Sequence, residues 1–338
     1  MKTWLFGVWI FVGLSVVGTA IAKPTPVAIV VHGGAGTILK ENLTPELEQA
    51  YKQTLRDAVE AGHKLLLQGE PGEKAVIAAI QILETSPLFN AGVGAVYTWE
   101  GEHELDASIM HGGSLNAGAV AGVKTIRSPI AAALAVMHQS PHVMLSGKGA
   151  QLFAQEQGLE IVDNSSFDTE RRKQALERAK ARMLGAGVYG NQQGNERFGT
   201  VGAVVLDKQG NIVSGTSTGG MTAKRYGRIG DSPVIGAGTW ADNASCGVSA
   251  TGHGEFFIRY HVAADICSRV KYQGVSLIDA ADTVINGVLK AAGGDGGVIA
   301  IDNQGNIATP FNSPGMYRAK IDKNGKLAVG IYKAWEKE

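Results

Sequence analysis

Three short stretches of one composition fix how the second half of the 338-residue chain must turn: Asp207-Lys-Gln-Gly210-Asn, Asp302-Asn-Gln-Gly305-Asn and Asp322-Lys-Asn-Gly325-Lys. Each separates two apolar, strand-like runs and places a glycine where a tight turn needs positive φ. Three such hairpins require antiparallel strands. Between the first and second lie two helix-like stretches, Glu255 to Val270 and Ser276 to Ala292. Helices grouped between antiparallel hairpins predict a layered α+β fold, with two central sheets packed together and helices outside, instead of a parallel doubly wound sheet.

The first half opens with a strand, Val27 to Val31, and a glycine turn, His32-Gly33-Gly34-Ala35-Gly36-Thr37. A helix from Pro45 to Leu67 follows, with Thr44 as N-cap and proline at its first position. A second runs from about Glu73 to Glu84. The compact loop Pro87 to Gly94 precedes strands near Asp106 to Met110 and Ala117 to Val123, and Ser128-Pro129 starts an alanine-rich helix to about His138. Charged helical sequence between Phe167 and Leu184 leads into Gly185 to Gly194, too glycine-rich and polar to pack and so read as mobile. Each half by itself is short of a complete core, which favours one domain.

Residues 1–22 combine an early lysine, an apolar stretch and Ala20-Ile21-Ala22 before a polar, proline-containing start. This is the pattern of a secretory signal cleaved after Ala22. The mature chain, 23–338, is expected in a periplasm or outside the cell, with no membrane segment once the signal is removed. The 31 basic and 31 acidic residues balance, which argues against a nucleic-acid or anionic-membrane surface and for small polar partners. Cys246 and Cys267 could form one bridge, but a strand and a helix that need not face each other favour two buried thiols.

The junction Gly199-Thr200 stands where the glycine-rich segment meets the alternating run Val201 to Leu206. Breaking that bond would give Thr200 a free α-amine beside its hydroxyl, nucleophile and base on one residue. An α-amine titrates near about 7.7–8, against about 10.4 for lysine, so roughly a tenth of it is neutral at pH 7 and able to take the hydroxyl proton. Gly199 tolerates the backbone angles that expose its carbonyl, and β-branched Thr200 has few rotamers.

Three clusters follow. Thr218, in Thr216-Ser217-Thr218-Gly219-Gly220, ends the hairpin strand that returns beside Thr200 and could orient it by a hydrogen bond. Arg228 and Asp231, three residues apart on a loop, offer the opposite charges an amino acid's α-carboxylate and α-ammonium need. Thr251-Gly252-His253-Gly254-Glu255 opens a helix, where free N–H groups and the Thr251 hydroxyl could hold an oxyanion. His253 reads as a solvent-facing loop histidine, since Thr200 would bring its own base. Gly34-Ala35-Gly36 lacks a dinucleotide fingerprint, His138 and His142 have Pro141 between them and no third zinc ligand, and no G-x-S-x-G elbow occurs.

These motifs in this order resemble the plant-type L-asparaginases, or isoaspartyl peptidases, as do the opening His32-Gly33-Gly34-Ala35-Gly36, the Phe89-to-Gly94 loop and His103-Glu104-Leu105-Asp106-Ala107. The resemblance covers essentially the whole mature chain. It implies a four-layer αββα sandwich of N-terminal nucleophile hydrolases, made as a precursor that cleaves itself between Gly199 and Thr200 into an α subunit (23–199) and a β subunit (200–338), which stay together and pair as (αβ)2. It makes Thr200 the nucleophile, Thr218 its hydroxyl partner, Thr251 and Gly252 the oxyanion hole, Arg228 the carboxylate clamp, Asp231 the ammonium contact with Gly254 beside them, and Asn90 a support for the oxyanion of self-cleavage. It also implies no catalytic cofactor but a structural sodium ion on the main-chain carbonyls of Leu83, Glu84, Ser86, Phe89, Ala91 and Val93. Its substrates would be β-aspartyl dipeptides first and L-asparagine second. Glycosylasparaginase-like cleavage of glycan-bearing asparagine is the near alternative. A non-catalytic periplasmic amino-acid-binding protein is the alternative of another class.

Overall fold

A computed structural model describes residues 1–4, 26–185 and 199–337. The expected signal segment and glycine-rich linker fall for the most part outside them. In chain order the described elements are β1 (Ala28–Gly36), α1 (Pro45–Gln68), α2 (Gly72–Thr85), β2 (Leu105–His111), β3 (Ala117–Val123), α3 (Pro129–Gln139), β4 (Met144–Ser146), α4 (Gly147–Glu156), α5 (Glu170–Gly185), β5 (Val201–Leu206), β6 (Ile212–Thr218), β7 (Thr239–Ala241), β8 (Cys246–Gly252), α6 (Gly254–Arg259), α7 (Val262–Ser268), α8 (Leu277–Asp282), β9 (Gly296–Asp302), β10 (Ile307–Ala308), β11 (Gly315–Ile321), β12 (Leu327–Gly330) and β13 (Glu336–Lys337). One sheet has the order β13-β12-β11-β1-β5-β6-β2-β3-β4, and the other β10-β9-β8-β7.

The layering follows from period-two burial, because a strand covered on both faces sends alternate residues to different seams. Ile29, Val31, Val201, Ala203 and Val205 pack with Leu55, Val59, Val76 and Ile80 of α1 and α2. Ala28, Val30, Val204 and Leu206 point the other way and meet Ile299 and Ile301 of β9. Val248, Ala250, Val298 and Ala300, on the far face of the smaller sheet, pack under Ile266, Leu277 and Ile285. Three apolar seams thus separate four layers, αββα.

The hairpins form as the sequence predicts, and by one device. In each, the aspartate Oδ1 accepts two main-chain N–H groups, those of Gln209 and Asn211, Gln304 and Asn306, or Asn324 and Lys326, at 2.8–3.1 Å. The turn glycines take φ of 82°, 75° and 76°. Thr44 caps α1 by accepting from Leu47 N at 3.3 Å.

Several expectations are corrected. The sheets are antiparallel except where β3 pairs with β4 in parallel. The expected glycine turn at His32–Thr37 is a continuation of β1, interrupted by a register shift between His32 and Ala35. Glycines serve there as contact points: a Cβ at Gly33 would lie 2.2 Å from the Phe89 ring, and one at Gly34 2.6 Å from Gly199 Cα. The helix expected over Glu255 to Val270 is split, since His261 adopts φ 47° and stops α6 after six residues. The second helix winds into a wider π-helical stretch at Thr283–Leu289. Finally, Cys246 and Cys267 are joined, with Cα atoms 5.3 Å apart. The strand and helix do face each other across the same apolar seam, the condition on which the thiol reading turned.

Candidate active site

Thr200 stands immediately before β5, at the edge of the inter-sheet seam, and β6 returns antiparallel beside it with Val201 opposite Ser217. That register brings Thr218 back to Thr200, and their Oγ1 atoms lie 2.9 Å apart. The Thr218 hydroxyl also accepts the N–H of Gly220 at 3.0 Å, which fixes its rotamer.

Both carbonyls around the Gly199–Thr200 bond are held. The N–H of Asn90 donates to Gly199 O at 2.9 Å. The contact needs glycine twice over, because Gly199 has φ 147° and a Cβ there would stand 2.5 Å from that of Asn90. The Asn90 side chain is turned elsewhere, donating to Gly220 O at 2.7 Å and accepting from Val96 N at 2.9 Å. On the other side His32 Nδ1 meets Thr200 O at 3.0 Å, and its Nε2 meets Ser249 Oγ at 2.9 Å. Burial pushes the imidazole down to about 3, against the hydrogen bond to Thr200, so it is neutral at ordinary pH. Because a carbonyl only accepts, Nδ1 carries the hydrogen and Nε2 takes that of Ser249.

Ser249 continues a line of buried hydroxyls: Thr216 at 2.7 Å, Thr239 2.6 Å beyond it, then Ser108 at 2.8 Å, whose single hydrogen serves either Thr239 or Ser232 O, 2.6 Å away. This line of contacts ties the Thr200 carbonyl to the loop bearing Asp231. Its sequence signal was the alternation Ser214, Thr216, Thr218 on one strand, polar at period two where both faces are covered. Gly202 makes room for it, since a Cβ there would fall 2.0 Å from Ser249 Oγ and 2.5 Å from His32 Nε2.

The same cleft is lined by Arg228, Asp231, Gly252, His253 and Gly254. Arg228 donates from Nε and Nη2 to the two carboxylate oxygens of Glu255 at 2.9 and 3.0 Å. Burial alone would raise the Glu255 carboxyl; the Arg228 hydrogen bonds and charge outweigh it and hold it below its usual range. Asp231 is in the opposite condition. It is 5% exposed, its Oδ2 has no hydrogen-bond partner, and burial pushes its carboxyl up to about 7 against the charge of Arg228. A buried acceptor in this state is poised for a donor that arrives with a ligand.

Thr251 lies at the end of β8, its Oγ1 accepting from Ala35 N at 3.2 Å, so its hydrogen is directed away from β1. Gly252 has φ 153°, and a Cβ there would lie 2.4 Å from Asp295 O. The expected helix start contributes less than its sequence suggests: α6 has six residues, and the N–H of His253 is already given to Asp295 O at 2.9 Å. His253 is not a plain solvent histidine, since its Nε2 stands 3.3 Å from Glu255 Oε2.

The loop after α2 brings oxygen donors together. Glu84 O accepts from Val93 N at 2.7 Å and Leu83 O from Ser86 N at 3.3 Å. Gly92 and Gly94 admit the carbonyls of Glu84, Pro87 and Phe89 at distances that any Cβ would block. A carbonyl oxygen keeps a second lone pair, and an all-oxygen donor set fits a hard cation. Among the described residues no three His, Cys, Asp or Glu side chains are grouped to hold a metal.

A four-layer αββα sandwich with a threonine at the head of a central strand, hydroxyl-paired and facing a charged cleft, defines an N-terminal nucleophile hydrolase. Residues 25–331 match the family model described as asparaginase. The chain is 48% identical over 307 residues to the isoaspartyl peptidase of Salmonella typhimurium, covering 90% of this chain and 98% of that protein. It is 48% identical over 309 residues to the isoaspartyl peptidase of Escherichia coli, covering 90% and 96%. It is 40% identical over 305 residues to an isoaspartyl peptidase/L-asparaginase of Xenopus laevis, covering 90% and 94%. The chain belongs to this asparaginase family.

Proposed function

We propose that the protein hydrolyses β-aspartyl amide bonds, those of isoaspartyl dipeptides and of L-asparagine, with Thr200 as an N-terminal nucleophile freed by self-cleavage. The observation that carries this is the buried Asp231 carboxylate beside Arg228, its Oδ2 without a hydrogen-bond partner, in one cleft with the 2.9 Å hydroxyl pair of Thr200 and Thr218. An ammonium and a carboxylate on one carbon satisfy Asp231 and Arg228 together, leaving the β-carbonyl to reach Thr200.

In self-cleavage the Thr200 hydroxyl attacks the Gly199 carbonyl carbon, whose oxygen already faces the N–H of Asn90; the Gly199–Thr200 C–N bond breaks as the ester forms, the hydroxyl proton ends on the freed α-amine of Thr200, and water then hydrolyses the ester to the Gly199 carboxylate and the Thr200 hydroxyl. In turnover that amine takes the hydroxyl proton, Oγ1 bonds to the substrate's β-carbonyl carbon, and the Thr251 hydroxyl with the Gly252 backbone receives the oxyanion. The proton passes to the departing amine as the C–N bond breaks, and water releases aspartate. His32, neutral and buried, fixes Thr200 without exchanging protons.

The fragments 23–199 and 200–338 form one domain and pair as (αβ)2 in this reading, and a sodium ion sits on the carbonyls of Leu83, Glu84, Ser86, Phe89, Ala91 and Val93. Export with signal removal after Ala22 is supported by the Cys246–Cys267 bridge, since disulfides persist in oxidising compartments. Activity on β-aspartyl-leucine, L-asparagine and an asparagine-linked sugar, together with amino-terminal sequencing of the smaller fragment, tests the reading. Cleavage of the first two and a fragment starting at Thr200 are expected. An intact chain that binds but does not cleave, or preference for the sugar conjugate, would overturn it. Thr200→Ala should give one folded polypeptide without activity.

A further inference from the structure

Beside the catalytic cleft lies a second cavity of about 480 Å3, a size within the usual small-molecule range. The two share Met221, Arg228 and His253. A substrate held by Arg228 and Asp231 with its acyl carbon at Thr200 therefore has this chamber next to it, and none of the chemistry derived above uses it.

Its remaining walls are of two kinds. Met183, Met221 and Tyr226 offer apolar, adaptable surface. Tyr226 is 87% exposed yet holds φ 61°, a left-handed conformation that crowds the Cβ of any side-chain-bearing residue against the backbone. Strain of this kind, with no packing of the ring to explain it, concentrates where a side chain is displayed for a ligand. The second kind is cationic. Arg225 Cζ lies over the Trp99 ring, 3.3 Å from its centroid, with the Nε buried and lacking a hydrogen-bond partner. Lys224 also borders the cavity, but its ammonium donates to Glu104 O at 2.9 Å and is drawn on by Asp106. The acid on this wall, Glu255, is engaged by Arg228.

We propose that this cavity is the leaving-group subsite: it holds the amino acid released from a β-aspartyl dipeptide, with an apolar side chain against Met183, Met221 and Tyr226 and its free α-carboxylate toward Arg225. The inference rests on the function proposed above and names its preferred substrate class. As the Thr200 Oγ1–carbon bond forms and the amide C–N bond breaks, the hydroxyl proton ends on the departing nitrogen, and a neutral-amine amino acid is left in this chamber. L-Asparagine releases ammonia, which reaches none of these walls.

Steady-state kcat/KM for β-aspartyl-leucine, β-aspartyl-leucinamide and L-asparagine tests this in the self-processed enzyme. Arg225→Gln and Tyr226→Ala should each lower the dipeptide value by about tenfold, as expected for a lost charge-assisted or aromatic contact, and leave L-asparagine within about twofold. Arg225→Lys should recover part of the loss. Wild type should cleave the amide about tenfold less well than the acid, and Arg225→Gln should no longer distinguish them. Tyr226→Asn, which suits left-handed backbone, serves if Tyr226→Ala folds poorly. Equal losses on dipeptide and L-asparagine, or a wild type indifferent to the carboxylate, would overturn the subsite while leaving the hydrolase reading intact. A wild type that cleaves neither substrate would overturn that reading and the subsite with it.

Discussion

Asp231→Asn should make the ligand-free protein more stable while disabling it. The carboxyl is pushed from its ordinary 3.8 up to about 7 by burial, only partly offset by Arg228, and at about 1.36 kcal/mol for each pH unit this corresponds to about 4 kcal/mol. For an acid whose folded-state value is raised, the cost is absent below pH 3.8, grows between 3.8 and about 7, and is complete above. Asparagine stays neutral throughout. Its amide adds a donor that must find a partner in the position of Oδ2, for which about 1 kcal/mol is subtracted. The net expectation is a gain of about 3 kcal/mol at pH 8 that turns into a loss of up to about 1 kcal/mol at pH 4, the gain at pH 8 being about 6 °C in Tm at about 2 °C per kcal/mol for a chain of this size. Thermal unfolding of both proteins followed by circular dichroism at several pH values measures it. In the same variant kcat/KM for β-aspartyl-leucine should fall by about a hundredfold or more, from loss of a buried ammonium partner. In wild type kcat/KM should rise through pH 7 as Asp231 ionises. A variant no more stable than wild type at pH 8, or a difference that does not grow with pH, would refute the claim that this carboxylate is held against its own solvation for a ligand.

Thr218→Val removes the hydroxyl 2.9 Å from that of Thr200 at nearly constant volume and should lower kcat by about tenfold or more at a stability cost of about 1 kcal/mol, read by kinetics and unfolding on one preparation. Gly202→Ala drives a methyl to 2.0 Å from Ser249 Oγ; it should cost about 1–3 kcal/mol and impair activity by displacing His32, and an unchanged Tm would disprove the tightness of that contact. Cys267→Ala opens a bridge closing 21 residues and should cost about 3 kcal/mol, with dithiothreitol lowering the Tm of wild type but not of the variant.

Much of the architecture was legible in advance because it is local. The Asp-x-x-Gly hairpins need only an aspartate reaching two amides and one glycine at positive φ, and Thr44-Pro45 or Ser128-Pro129 start helices irrespective of what packs on them. Thr200, Thr218, Arg228 and Asp231 were also legible as residue types suited to amide hydrolysis. The unmarked features depend on contacts between distant segments. The glycines after His32 signal a turn locally, but crossing the Phe89 ring and Gly199 makes them a strand. His261 carries no helix-breaking side chain, yet it turns left-handed and divides an apparently continuous helix. Cys246 and Cys267 pair because a sheet face and a helix face meet.

The sequence by itself determined the alternation that sends neighbouring side chains of Ala28 to Val31 and Val201 to Leu206 into different layers, and hence that two sheets must stack with helices outside. It also placed a hydroxyl, a guanidinium and a carboxylate in the same half of the chain. Only the tertiary structure decided their states: Arg228 already engaged by Glu255 through Nε and Nη2, Asp231 buried with its Oδ2 unpartnered, and His32 stripped of its charge and aimed at Thr200. Composition and spacing specify which groups exist, but solvation and partner geometry, which set their charge and readiness to react, arise only when residues far apart in the chain exclude water together.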